Sequence, residues 1–280
     1  ISRNAFKEAE ISPKDIDVYS ATCGPGLIGG LLVGSTYAKS LAIGSKKPFI
    51  PINHLEAHIL STTYNNEINF PHLTLLLTGG HTQIYLVKDF KNILLIGETV
   101  DDALGEAFDK VAKILGLTYP GGVELEKNAT HGNEDYFKLP YPMINSESLD
   151  FSFSGIKTAV NLIVKKNKLD SNFIKNMSAS FQKCVVNILI KKLKNTLIKL
   201  KKKGTNIKSF SLVGGVANNK YIRSKLSELQ EEHKIKMFIP LKEMMSDNAA
   251  MIAWACILKY DRKIININFK ANPRLRVLND

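Results

Sequence analysis

PFIPINHLEAH, residues 48–58, is the stretch that decides how this chain is read. Its first half, Pro48 to Asn53, is a short apolar run of strand character. It runs directly into a helix that opens on His54 and carries His58 one turn later. Residues four apart share a helix face. Both imidazoles can therefore reach one metal ion, as zinc or iron prefers. The pattern differs from the metalloprotease helix H-E-x-x-H, in which the glutamate next to the first histidine reaches the metal-bound water. Here Glu56 stands two residues from each histidine, and at about 100° per residue it points roughly 200° away from both. The residues describe a metal site without the protease's general base. The competing reading is a buried helix with two hydrogen-bonded histidines.

Working outward, short apolar runs alternate with helical patterns, which predicts an α/β architecture. Residues 18–23 (VYSATC) read as a strand ending in Gly24-Pro25-Gly26, followed by a small-residue helix from about 30 to 43. Runs 73–78, 83–87 and 93–99 are strands too close together for crossover helices, so they predict an antiparallel meander. Helices are expected at 102–116, 123–131, 155–166, 171–203, 219–232 and 246–260, with strands at 209–214 and 236–240. The first residues read as the end of an amphipathic helix. The chain opens in mid-element, without a methionine, and the expectation is that residues precede it.

The 280 residues suit one large domain or two lobes. No apolar run reaches the roughly 18 residues of a membrane span, and there is no secretory start. Cys23, Cys184 and Cys256 are odd in number and far apart, which predicts a reducing, cytoplasmic setting and no disulfide framework. The net charge of +12 permits a polyanionic partner such as tRNA. Lysine outnumbers arginine 33 to 5, however, as compositional drift would also produce. The densest cluster, 191–203, keeps Leu193, Leu197 and Leu200 at helical spacing, so its lysines are expected to form mostly a solvated face.

Three Gly-Gly pairs follow apolar elements: Gly79-Gly80, Gly121-Gly122 and Gly214-Gly215. Glycine permits close backbone approach, and a strand–Gly-Gly junction can aim free N–H groups at phosphate. Together they suggest a nucleotide-like ligand in a cleft, although glycine in turns is often turn chemistry alone. Asp101 and Asp102 stand where a helix opens and suit its N-terminal dipole. Asp109, two turns on, can accept hydrogen bonds from ribose hydroxyls. Asp247 sits at a helix start. It is either an N-cap or a third, oxygen ligand beside His54 and His58, a set that leaves coordination positions open for a substrate.

The stretches GPGLIGGLLVG (24–34), INHLEAH (52–58), LLLTGGHTQ (75–83), GETVDDALGEAFDKVAKILGL (97–117), YPGG (119–122), FSFSGIKTAV (151–160), GGVANN (214–219) and SDNAAMIAWA (246–255) resemble, in order, the universal tRNA-adenosine threonylcarbamoyltransferase family, once called the O-sialoglycoprotein endopeptidase or glycoprotease family. The resemblance implies the actin-like ATPase fold of sugar kinases and heat-shock-70 proteins, with two lobes around a cleft. Residues 1–70 would form the remainder of the first lobe, 71–245 the second lobe with a helical insert, and 246–280 a helix and tail returning to the first. It implies an acyltransferase that moves the threonylcarbamoyl group from threonylcarbamoyl-AMP to N6 of adenosine 37 in tRNAs reading codons that start with A. It implies one divalent metal, Fe(2+) or alternatively Zn(2+), on His54, His58 and Asp247. Substrate contacts carry over onto Leu76, Leu77, Thr78, Gly79, Gly80, Asp109, Gly122, Glu126 and Asn219. The implied partners are an inactive paralogue of the same fold and a small ATPase. In helix 30–43 the small residues Gly34, Ser35, Ala38 and Ser40 would let a partner helix approach closely, or else pack on the chain's own sheet.

The chain departs from the family pattern in places. The family's first strand and phosphate loop are absent from these residues. Val123, Ala57, Thr78 and Asn218 replace the usual proline, glycine, serine and small residue, and the tail around Arg274 and Arg276 lacks its tryptophan. Two other functions compete with transfer: a metalloprotease, which the geometry of Glu56 opposes, and a non-catalytic nucleotide-binding module of the same fold.

Overall fold

Runs of leucine, isoleucine and valine form the strands of two sheets in the computed structural model, which describes residues 1–260 and 267–277. A short helix, α1 (Ser2–Glu8), precedes β1 (Tyr19–Gly24). The small-residue segment forms α2 (Ile28–Ser45), the right length for a crossover, and returns the chain to β2 (Phe49–Asn53). β1 and β2 pair in parallel, with Gly24 opposite Asn53 at their C-terminal ends. α3 (His54–Ser61) follows β2 without a loop.

The second sheet has the order β5-β4-β3-β6-β7. β3 (His72–Leu77), β4 (Thr82–Val87) and β5 (Ile93–Glu98) make the expected antiparallel meander. β6 (Ser209–Val213) lies parallel to β3 on its other side, and β7 (Lys236–Phe238) lies parallel to β6. The helices are α4 (Leu104–Ile114), α5 (Gly121–Ala129), α6 (Ser154–Val164), α7 (Ser171–Lys202), α8 (Lys220–His233) and α9 (Ala249–Lys259).

β3 is buried along its whole length because both of its faces are covered. Successive side chains point to opposite faces. Leu73, Leu75 and Leu77 join a core with Phe108 and Val111 of α4 and Phe181, Val185 and Leu189 of α7. Leu76 joins Tyr85, Ile59, Leu60, Met251 and Ala255 in a core against α3 and α9. A third, smaller cluster sets Ala38 and Ala42 of α2 against Tyr19 and Phe49. No helix among the described residues is long and apolar enough to cross a membrane.

The lysines of 191–203 mostly form an exposed face as expected, with Lys191, Lys199, Lys201, Lys202 and Lys203 all exposed. Lys192 departs from it: it is fully buried and donates to the Ser148 carbonyl at 2.7 Å. Lys194 pairs with Glu232 at 2.6 Å, so part of the basic cluster serves internal contacts. Asp101 does not cap the helix that follows it. Its carboxylate accepts from Phe153 N, Ser154 N and the Ser152 and Ser154 hydroxyls, which places it at the N-terminus of α6. Asp102 turns to Lys110 at 2.6 Å instead. α4 begins with Leu104 N donating to Thr82 Oγ1.

Candidate metal centre and adjoining clefts

Asn53 ends β2 and starts α3. Its Oδ1 accepts from Leu55 N at 2.8 Å and Glu56 N at 3.3 Å, satisfying two of the free amides of the first turn. The cap fixes where the helix begins, and so the direction in which His54 and His58 project. The two rings meet edge to face with centroids 4.8 Å apart. At the start of α9 the capping residue is Asn248, whose side chain accepts from Met251 N. Asp247 is thereby released from capping. Its Oδ1 lies 3.0 Å from His58 Nε2 and 3.3 Å from His54 Nε2. Hydrogen bonding to the two imidazoles holds the Asp247 carboxyl well below the usual carboxylate range.

The donor atoms of His54, His58 and Asp247 all lie within 4.8 Å of one another. Ligands of one ion at bonds of about 2.0–2.2 Å stand roughly 3–4 Å apart. The two His–Asp247 distances match that spacing, so the donor set suits one metal ion. His58 is buried, and its Nδ1 has no partner among the described residues.

Glu56 takes no part in this cluster. Its Oε2 pairs with Lys259 Nζ at the end of α9, away from the ligand face, as the helical angle requires. Sequence reading also passed over His81, which lines the same cleft as His54. Burial, and then the neighbouring His54, keeps its imidazole below the ordinary histidine value. The only signal in sequence was its place directly after the glycine pair.

The β3–β4 turn holds that pair. Thr78 N donates to His81 O and His81 N to Thr78 Oγ1, each at 2.9 Å. These bonds leave Gly79 and Gly80 exposed at the tip, their N–H groups without protein partners among the described residues. A cleft of about 1580 Å³ is lined by His54, Asp247, Thr78, Gly79, Gly80, His81 and Gly215 together with residues of α1, β1 and α2, Tyr37 among them. A smaller cavity of about 420 Å³ is lined by Gly79, Glu106, Asp109, Lys110, Lys113, Tyr119 and Gly121. Gly79 borders both, so the glycine turns serve two adjoining spaces.

The remaining candidates are used internally. Leu76 and Leu77 bury their side chains in opposite cores, which leaves only their backbone for a ligand. Asp109 Oδ1 accepts from Gly121 N at 3.0 Å at the wall of the smaller cavity. Glu126 Oε1 accepts from Lys220 N, and the buried Asn219 caps α8 through Ile222 N while donating to Gln182. Its neighbour Asn218 is the exposed amide of the pair. Gly122 and Glu126 line neither cavity.

A family model described as "TsaD: tRNA N6-adenosine threonylcarbamoyltransferase" matches residues 1–254. The chain belongs to this family. A protein of that name from Wolbachia pipientis wMel is 42% identical over 273 residues, covering 97% of this chain and 81% of the relative. One from Thermosipho africanus (strain TCF52B) is 46% identical over 283 residues, covering 99% and 83%. Among solved structures, full-length HypF in a phosphate- and nucleotide-bound form superposes with a TM-score of 0.66 at 17% identity, covering 92% of this chain and 48% of that one. HypF from T. kodakarensis superposes with a TM-score of 0.64 at 13% identity, over 91% and 42%. At such identity the likeness concerns fold alone. The fold is the α/β, actin-like ATPase class expected from sequence.

Proposed function

We propose that this chain transfers the threonylcarbamoyl group from threonylcarbamoyl-AMP to N6 of adenosine 37 in tRNAs that read codons starting with A. Membership of the family, with His54, His58 and Asp247 gathered beside the Gly79-Gly80 turn, is the observation that carries this reading. In the reaction the adenosine N6 attacks the carbamoyl carbonyl carbon. The bond from that carbon to the phosphate oxygen breaks, AMP leaves, and N6 loses a proton. Such a reaction needs charge stabilisation on the leaving phosphate and a held carbonyl, and no side-chain nucleophile. The exposed N–H groups of Gly79 and Gly80 suit the phosphate, and the Asp109 carboxylate at the neighbouring cavity suits ribose hydroxyls. His54, His58 and Asp247 would hold the metal, Fe(2+) in our reading, which when bound supplies a positive charge that polarises substrate oxygens.

The pairing of Glu56 with Lys259 weighs against a metalloprotease, because the only glutamate of α3 is engaged elsewhere. A purely non-catalytic module would not require all three metal donors. We include the inactive paralogue and the small ATPase as partners. α2 buries a stripe of Leu31, Ser35, Ala38 and Ala42 on its own sheet, so Ser35 and Ala38 face inward. It leaves Ile28, Leu32, Val33 and Tyr37 exposed, and that apolar face is the one we assign to a partner. The buried, free cysteines accord with a reducing cytoplasm.

The test is a transfer assay with threonylcarbamoyl-AMP and unmodified tRNA, with and without the two partners, read as the modified nucleoside by mass spectrometry. A protease assay with bound zinc runs beside it. His58→Ala should lose stoichiometric metal and the modified nucleoside together. Metal retained by His58→Ala at the parent's level would overturn the site assignment.

A further inference from the structure

We propose that the strap of residues 272–276 positions the metal-binding helix through the side chain of Asn53, so that metal retention depends on that strap. The inference rests on the metal reading above. Asn53 is only 6% exposed, and both ends of its amide are used. Oδ1 caps α3, and Nδ2 donates to the Arg276 carbonyl at 2.9 Å, 223 residues away in sequence. The same strap crosses the end of β1. Asn272 N donates to Cys23 O at 2.8 Å, and Gly26 N donates to Pro273 O at 3.2 Å.

Gly24, the register partner of Asn53, is shaped for this crossing. Its φ is +146°, and a Cβ there would meet Asn272 O at 2.0 Å and Leu275 Cβ at 2.7 Å. On one side of the crossing Phe269 packs near Tyr19 and Phe49, and on the other Val277 packs on the core shared by α3 and α9. The strap is therefore held at both ends and closes over the joint from which His54 projects. Its contacts to that joint are mainly backbone groups, while the Arg274 and Arg276 residues are exposed. Metal-site residues that act through a ligand's support change affinity by about 10- to 100-fold when lost. Asn53 is such a positioning residue.

The experiment is a Co(2+) titration read by its visible absorption, on the parent, a chain ending at Ala271, Asn53→Asp, their combination, and Arg274→Ala with Arg276→Ala. Asn53→Asp keeps the cap acceptor and sets a carboxylate against the Arg276 carbonyl. We expect the truncated chain and Asn53→Asp each to bind Co(2+) about 10-fold or more weakly, with altered absorption. The combination should show no additional loss, and the double arginine variant should show parent affinity. Parent affinity in Asn53→Asp overturns the proposal even if the truncated chain does not fold. So does additivity of the two losses, or a loss in the arginine variant equal to that of truncation. A parent that binds no Co(2+) removes the metal reading itself, and the strap's role with it.

Discussion

Gly105 sits in the first turn of α4 with its Cα against the Thr78-Gly79 backbone. A Cβ there would lie 2.7 Å from Gly79 Cα and 2.8 Å from Thr78 O. Ordinary contact begins at 3.4 Å, so Gly105→Ala must part the helix and the loop by about 0.6–0.7 Å. Overpacking of this kind costs about 1–3 kcal/mol, and alanine's better helix propensity returns about 0.5–1 kcal/mol. The net loss of stability is about 0–2.5 kcal/mol. Activity should suffer more, because the loop that moves is the one offering its amides to substrate. A misplacement near 1 Å is worth about 100-fold, so a fall of about 10- to 100-fold in kcat/KM is expected. Urea unfolding and transfer kinetics with partners saturating measure the two effects on one sample. Gly34→Ala is the control: its Cβ would meet nothing within 4 Å, and it should gain about 0.5–1 kcal/mol. A Gly105→Ala enzyme with parental kcat/KM would refute the claim that this loop's position matters to the reaction.

Glu56→Gln separates protease from transferase and also measures the α3–α9 tie. Lys259 is about a quarter exposed and can relax toward water, so unfolding should cost about 1–2 kcal/mol less, below the figure for a fully buried pair. Transfer by the folded variant at saturating metal should persist; its abolition in a folded, metal-loaded protein would revive the role of Glu56 as a base. A second prediction concerns pH. His72 is buried between β3 and β6 with Nδ1 on Ser209 Oγ at 2.8 Å, and burial pushes its imidazole down to about 4. Below its unfolded value of about 6.5 the unfolded chain binds the extra proton, so stability is full above that pH and falls as pH drops toward 4. The fall attributable to His72 is about 3 kcal/mol. It is read as the difference between parent and His72→Gln in urea unfolding from pH 4 to 8, and parallel curves would contradict it.

Much of the fold was legible because local signals were consistent. The meander at β3–β5 follows from spacing too short for crossovers, whereas the parallel pairing of β1 with β2 emerges only in the structure. The two histidines were legible because helical periodicity alone puts them together. What sequence could not give was the destination of polar groups that act across the fold. Asp101 looked like the cap of its own helix and serves the N-terminus of α6 instead, because a carboxylate in a loop satisfies whichever free amides tertiary packing brings to it. Lys192 belonged to a basic run, yet the path of residues 146–150 buries it beneath a carbonyl. Asn219 and Glu126 read as ligand contacts and are partly engaged in capping α8, a use that only the meeting of α5, α7 and α8 determines.

The metal donors come from segments 189 residues apart, so the centre exists only if α3 and α9 are docked in one register. Three ties set it. Asp247 meets the histidines just before α9 begins, Trp254 Nε1 donates to Thr63 Oγ1 at 2.9 Å in mid-helix, and Lys259 meets Glu56 at its end. Eleven helical residues span about 16 Å, so ties at both ends and the middle leave α9 little freedom to tilt. Metal and docking are then linked: an ion that binds only the docked arrangement stabilises it by RT ln(1 + [metal]/Kd), about 2.7 kcal/mol at 100 times Kd. Loosening α9 at the Lys259 end, remote from the ligands in sequence, must therefore weaken metal binding as well as stability, whereas a centre assembled by α3 alone would not respond to it.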